Sequence, residues 1–465
     1  VAIGFQALDN EDEHGGNVAI GRSALSVLNA GADGFNTAVG HLAGDLMTTG
    51  TTNTLIGARA GDALTVGSEN VAIGDLALSA DTQGSRSVAI GRAALDAQNF
   101  TSATNAYNTA VGYDAGGAIT TGQSNTLMGG LAGDAITTGD HNIAIGKDAL
   151  HANTQGNKSV AVGSSALYSL NQTSDTDTYN VAVGFNAGYA VTTGIKNTIV
   201  GALAGDGMTE GFNNTVMGYE AMTSATVSGA HVAIGYEALK TFSGTSNTSQ
   251  FNTALGTQAG KGCTSGTYNT FIGGATGGDG TFTGASNTLV GYAAGFNITS
   301  GGNNLLLGKQ AGRSTSPSGT ISTGSNNVCL GDDNISALFC ADTSISSSDS
   351  RDKTDIADFS IGLNWIKDLR PVTYKWDKRT WYGTEEKPYG TPDGSKKDTK
   401  VHIGFLAQEV LEVEKANGFG DSADTMLTCN ITEDEQRYGM KYERLVPILV
   451  NAVQELSAKN DALEA

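Results

Sequence analysis

The sequence predicts a mostly β protein, a parallel β-roll or β-solenoid shaft of about 17-residue repeats followed by a small α+β domain that ends in a helix. Three observations lead there. One short phrase, Asn-Val/Thr-hydrophobic-hydrophobic-Gly with Ala three residues further on, recurs from Val1 to about residue 331. The composition then changes abruptly between residues 335 and 350. Beyond that change, apolar side chains return at helical spacing over about residues 442–465.

The phrase reads Asn36-Thr37-Ala38-Val39-Gly40, then starts again at Asn53, Asn70, Ser87 and Asn108, with spacings of 17, 17, 17 and 21. Asn36, Asn108, Asn180 and Asn252 stand 72 residues apart, so a super-repeat overlies the basic one. Val-Ala-Ile-Gly alternates β-branched residues against Ala, which suits a three-residue strand with Val and Ile on one face. Gly ends the strand. A second short segment, Ala-Gly-Asp or Ala-Leu, leads to a polar turn such as Thr48-Thr49-Gly50, where Gly supplies the backbone freedom of a tight turn. Stacking such coils aligns Asn on Asn and Val on Val at about 4.8 Å; about eighteen of them make a rod of roughly 90 Å. One coil encloses little apolar volume, and aromatics are only 7% of the chain. Several chains packed about a common axis would bury a second apolar face.

Before residue 348 there are 25 acidic and 11 basic residues, no Trp and one Pro, Pro317. The remaining 118 residues hold 22 acids, 16 bases, four Pro and all three Trp, the mixture of an ordinary globular domain. The expected organisation is a shaft over 1–340, a linker or cleavage loop over 341–347, and a second domain over 348–465. A net charge of −20 with no basic stripe argues against a nucleic-acid partner. No apolar run approaches bilayer length, so membrane insertion is not expected. Cys263, Cys329, Cys340 and Cys429 lack metal-ligand spacing, the six histidines form no metal pattern, and neither a metal nor a cofactor is expected. Val1-Ala2-Ile3-Gly4 lacks the leading Asn of its phrase, so further sequence is expected on its N-terminal side.

The Asn-Val-Ala-Ile-Gly phrase resembles the head repeats of trimeric autotransporter adhesins and the shafts of phage tail fibres. That resemblance implies a trimeric parallel β-roll. The spacings of 17 and 21 exceed the adhesin-head repeat, and the handedness of the coil stays open. Four extra residues recur in 96–107, 168–179 and 240–251, each stretch ending in an aromatic, Tyr107, Tyr179 or Phe251. These rings either contact a receptor or cover their own coil. Asp62, Asp134 and Asp206 recur every 72 residues in Ala-Gly-Asp turns and read as solvated turn residues, not as a paired-carboxylate glycosidase site.

Ser348-Asp349-Ser350-Arg351-Asp352-Lys353, Leu369-Arg370-Pro371-Val372, His402-Ile403-Gly404-Phe405-Leu406-Ala407-Gln408-Glu409 and Tyr442-Glu443-Arg444-Leu445 follow one another in that order. Together they resemble the intramolecular chaperone, auto-processing domain that ends phage endosialidases, tailspikes and tail fibres. The resemblance implies a Ser-Lys dyad in which Ser348 is the nucleophile, Lys353 the general base and Ser347-Ser348 the bond cut. A lysine can take the serine proton only where its surroundings lower its pKa. In the terminal helix, Leu445, Leu449, Ala452, Leu456 and Leu463 are spaced as a coiled-coil seam, which would start identical coils in register; the same helix could instead pack on its own domain. The expected function is the distal part of a homotrimeric viral tail fibre that presents a surface to a host receptor, a glycan or surface protein. A bacterial cell-surface adhesin and a polysaccharide-degrading tailspike are the alternatives.

Overall fold

The computed structural model describes residues 1–11, 15–244, 249–335, 350–384, 387–432 and 435–464. They fall into two compact units, Val1–Ala293 and Ala294–Ala465.

The first unit is the predicted parallel β-solenoid. Among its described residues, seventeen short strands, from Ala2–Ile3 to Thr288–Val290, form one rung per repeat. Each rung pairs in parallel and in register with the next, as in Val71↔Val88, Ala72↔Ala89 and Ile73↔Ile90. The phrase sets this register because its Asn and Gly each need their counterpart one coil away. The backbone N–H of Asn53 donates to Asn36 Oδ1 at 2.9 Å, while its own Nδ2 donates to Gly67 O at 3.0 Å in the following turn. Both asparagines are buried, so only a side chain that donates and accepts satisfies the position. Gly40, at φ +147°, lies so close to the next coil that a Cβ would sit 2.1 Å from the Gly57 carbonyl oxygen.

The middle residue of each strand points into the coil, and the flanking β-branched residues point out. Ala38, Leu55, Ala72 and Ala89 are fully buried, whereas Ile20, Ile56, Met128, Ile145, Val183, Met217 and Leu255 are exposed. Core volume explains the 72-residue super-repeat. The large middle residues Leu55, Leu127, Ile199 and Phe271 each press against glycines in their own and the preceding coil, Gly44 and Gly61 in the case of Leu55. Many of the coils whose middle residue is Ala carry Leu at the glycine's place, among them Leu25, Leu78, Leu95 and Leu150. Bulk alternates between two positions so that each layer fills without overlap.

The Asn column is interrupted every 72 residues, at Ser87, Ser159 and His231, each at the head of a coil that carries the four-residue insertion. Neighbouring side chains make good the loss. Gln98 Nε2 donates to Ser87 Oγ at 2.9 Å and its Oε1 accepts from Asn108 Nδ2 at 2.8 Å. Ser159 instead meets Thr178, and His231 packs its ring edge-on against Phe242 at 4.5 Å between centroids. The insertions fold back along one edge: Thr104–Asn105 pairs with Gly84–Ser85, Thr176–Asp177 with Gly156–Asn157, and Ser249 bridges Gly229.

The second unit contains two further rungs, Leu305–Leu307 and Val328–Leu330, paired in parallel. Its α+β part comprises helices α1 (Leu363–Asp368), α2 (Ala407–Ala416) and α3 (Leu445–Glu464). Two antiparallel pairs accompany them, Val372–Tyr374 with His402–Gly404 and Cys429–Ile431 with Tyr438–Met440. Trp365 of α1, fully buried, packs with Leu445 and Ile448 of α3 and with Phe359, Phe405 and Phe419. The bare Cα of Gly362 permits this approach, since a Cβ there would fall 2.6 Å from the Ala452 nitrogen.

Candidate functional site

Three of the four sequence blocks that carry the chaperone resemblance, those beginning at Leu369, His402 and Tyr442, meet in space. Arg370 pairs with Glu409 through Nε and Oε2 at 3.0 Å, joining the Leu-Arg-Pro-Val block to the Ala-Gln-Glu block. Tyr442 OH accepts the Phe405 N–H at 3.2 Å, and a Cβ on Gly404 would lie 2.5 Å from that hydroxyl, so the glycine is needed where the third and fourth blocks meet. His402 stacks on Tyr374 at 5.6 Å, with Trp376 edge-on to Tyr374 at 5.2 Å. Glu414 of α2 is fully buried and accepts from the backbone of Leu427, Thr428 and Cys429 and from Thr428 Oγ1, tying the Cys429–Ile431 strand to the helix.

The expected nucleophile and scissile bond, Ser348 and Ser347-Ser348, lie outside the described residues. Lys353 follows a single 3-10 turn, Ser350–Asp352, and is exposed. The expected helical seam divides between two faces of α3. Leu445 and Ala452 are buried with Ile448 in the domain's own core, because α1 occupies that side. Leu449, Leu456 and Leu463 lie exposed on another face together with Val446, Val453 and Asn460. That face runs Val446, Leu449, Val453, Leu456, Asn460, Leu463, alternating steps of three and four.

The aromatics at the insertions stand on one outer column, each with positive φ, and reach neighbouring coils. Tyr107 OH accepts from Arg86 Nη1 at 2.8 Å under a cation–π contact of 5.7 Å. Lys158 lies 5.3 Å from the Tyr179 ring, and the Tyr179 hydroxyl donates to Asp177 at 2.9 Å. Phe251 stacks on Tyr268 at 5.9 Å. All three rings remain half exposed. Asp62, Asp134 and Asp206 are partly buried, a departure from the solvated turns expected of them, and burial raises all three carboxyls above the usual range. Asp134 Oδ1 lies 2.6 Å from His151 Nδ1. Among the described residues no group of three or more His, Cys, Asp or Glu is placed to hold a metal, and no helix is long and apolar enough to cross a membrane.

One cluster escaped the sequence reading. In the second unit Asp333, just past the rung Val328–Leu330, is buried against Arg437, Thr380 and Lys378. The available signal was local: Gly331-Asp332-Asp333-Asn334 replaces the usual Gly-x-x-Ala. Its partner Arg437 is 104 residues away and outside every motif, so the pairing itself left no trace in the spacing.

Residues 348–419 match the family described as chaperone of endosialidase. That similarity covers the start of the C-terminal domain, and the repeat region is read from its own structure. No curated protein and no solved structure matches the chain.

Proposed function

We propose that the chain is the distal part of a homotrimeric viral tail fibre. Its shaft presents a surface to a receptor on the host cell, a glycan or surface protein. Its C-terminal domain aligns the three chains and then frees itself by Ser348-Lys353 autoproteolysis. The observation that carries this reading is the stripe of outward Ile, Val, Met and Leu on the strands of the first unit, recurring rung after rung from Ile20 to Leu255. An exposed apolar face of that length marks an association surface. A parallel partner with the same repeat matches it rung for rung, and three such chains would enclose it. The second support is the exposed heptad face of α3, which starts the chains together before the repeats can slip.

Charging the stripe tests the assembly. Ile145→Lys with Val183→Lys leaves each coil's own core intact, and the expected result is monomer in sedimentation equilibrium where the parent chain is trimeric; a trimer that tolerates both charges removes the stripe from the assembly surface. Processing is read separately from the intact mass of the denatured chain. The expected products break at Ser347-Ser348 and vanish in Ser348→Ala and Lys353→Ala, whereas full-length chain in all three makes the domain a retained assembly clamp.

A further inference from the structure

Asp333 joins the end of the repeat region to the C-terminal domain within the second unit. Its carboxylate faces the Arg437 guanidinium in a two-pronged pair, Nη1 to Oδ1 at 2.6 Å and Nη2 to Oδ2 at 2.6 Å. Thr380 Oγ1 donates to the same Oδ2 at 2.6 Å, and Lys378 Nζ donates to the Asp333 carbonyl at 3.0 Å. Arg437 Nη2 also donates to Ser314 O at 2.5 Å, an oxygen approached by Tyr389 OH at 3.4 Å. The Asp333 N–H donates to Thr315 O at 2.7 Å, which locks the aspartate to the coil. On one side stand Ser314, Thr315 and Asp333 of the last repeats; on the other stand Lys378, Thr380, Tyr389 and Arg437 of the chaperone domain. The acid and guanidinium side chains are only 7% and 18% exposed.

We propose that this clasp is a non-covalent latch. It seats the C-terminal domain on the final coil by contacts that do not pass through residues 336–349. Cutting the chain within that stretch therefore leaves the domain in place, and the clasp must open before the domain departs. A planar, two-pronged Arg-carboxylate pair suits this task, being strong and specific in direction. Buried as it is, removal of one partner strands the other charge, so loss of either side should accelerate release far more than loss of an exposed pair. The inference rests on the proposed function only for the natural occasion of the cut.

The test makes the cut without Ser348. In a full-length Ser348→Ala chain with an N-terminal tag, a site for a sequence-specific protease replaces residues 340–346, and the chain is cut and held by its tag. The domain is expected to stay bound, and to leave on the order of 100-fold faster in Asp333→Asn and in Arg437→Gln. Near-ultraviolet circular dichroism of the uncut variants reports whether Trp365 keeps its packing, and Thr380→Val provides a milder change that should speed release less. Immediate loss of the domain from the chain with an intact clasp overturns the proposal, as does equal retention in all variants. Since the added protease makes the cut, an inert Ser348 leaves this result unaffected.

Discussion

Asparagine recurs at the head of the repeat because the site is dry and makes two demands, an acceptor for the next coil's N–H and a donor for a turn carbonyl. At His231 the column departs from this rule. The imidazole Nδ1 accepts the Asn252 N–H at 3.4 Å and the ring sits against Phe242, so the buried ring is held neutral and burial pushes its pKa down to about 4. The unfolded chain protonates near the ordinary value of 6.5 and the folded coil only near 4. Between those values the unfolded state binds more protons, so stability falls as the pH falls, by at most about 3 kcal/mol once below 4. Hydrogen exchange across residues 215–255 should show this loss between pH 6.5 and 4. His231→Asn should abolish that part of it, since Asn restores the column and does not titrate; an undiminished acid effect in His231→Asn would place its origin elsewhere. Asp62, Asp134 and Asp206, with carboxyls raised by burial, act in the opposite sense and favour the fold as they protonate.

At the scale of elements, the sequence shows clearly what repeats and poorly what is paired across distance. The rungs were legible because nearly all obey one local rule, a short strand between a buried Asn, replaced only at Ser87, Ser159 and His231 among the rungs from Asn36 to Asn304, and a glycine that must lack Cβ. The super-repeat was visible as a number, but its cause was not. The exchange of bulk between Leu55 and Gly44 or Gly61 is a relation between adjacent coils, which no single repeat displays. Helix α3 shows the same limit. Spacing alone placed Leu445 and Ala452 in an intermolecular seam, yet they pack in the core beside Trp365, and only the fold reveals that α1 covers that side. The exposed row places β-branched Val446 and Val453 at one heptad position and Leu449, Leu456 and Leu463 at the other, with Asn460 as the single polar member that would fix register. Leu449→Asp with Leu456→Asp should therefore leave the domain folded and abolish association. Leu445→Asp should unfold the domain, because it puts a charge beside Trp365. Tryptophan fluorescence against sedimentation separates the two outcomes, and unfolding by the first pair would return that face to the domain's own core.

For the whole molecule, the proposed function gives the repeat region and the C-terminal domain complementary tasks. Coils whose strands share one pattern can pair at many offsets, and the stripe of outward β-branched residues gains the same area in each. On the proposed function, a C-terminal helix with a polar register mark, attached to a small domain with its own core, would supply the single starting point that the repeats lack. Val at one seam position and Leu at the other suits two helices in isolation, so in the proposed trimer the stripe rather than α3 alone would set the number of chains. The most direct test is the mass of the uncut Ser348→Ala chain in solution by multi-angle light scattering. The expected result is a single species of three chains, each of 47.5 kDa, that persists on dilution. A monodisperse monomer with the stripe left open to water would contradict it.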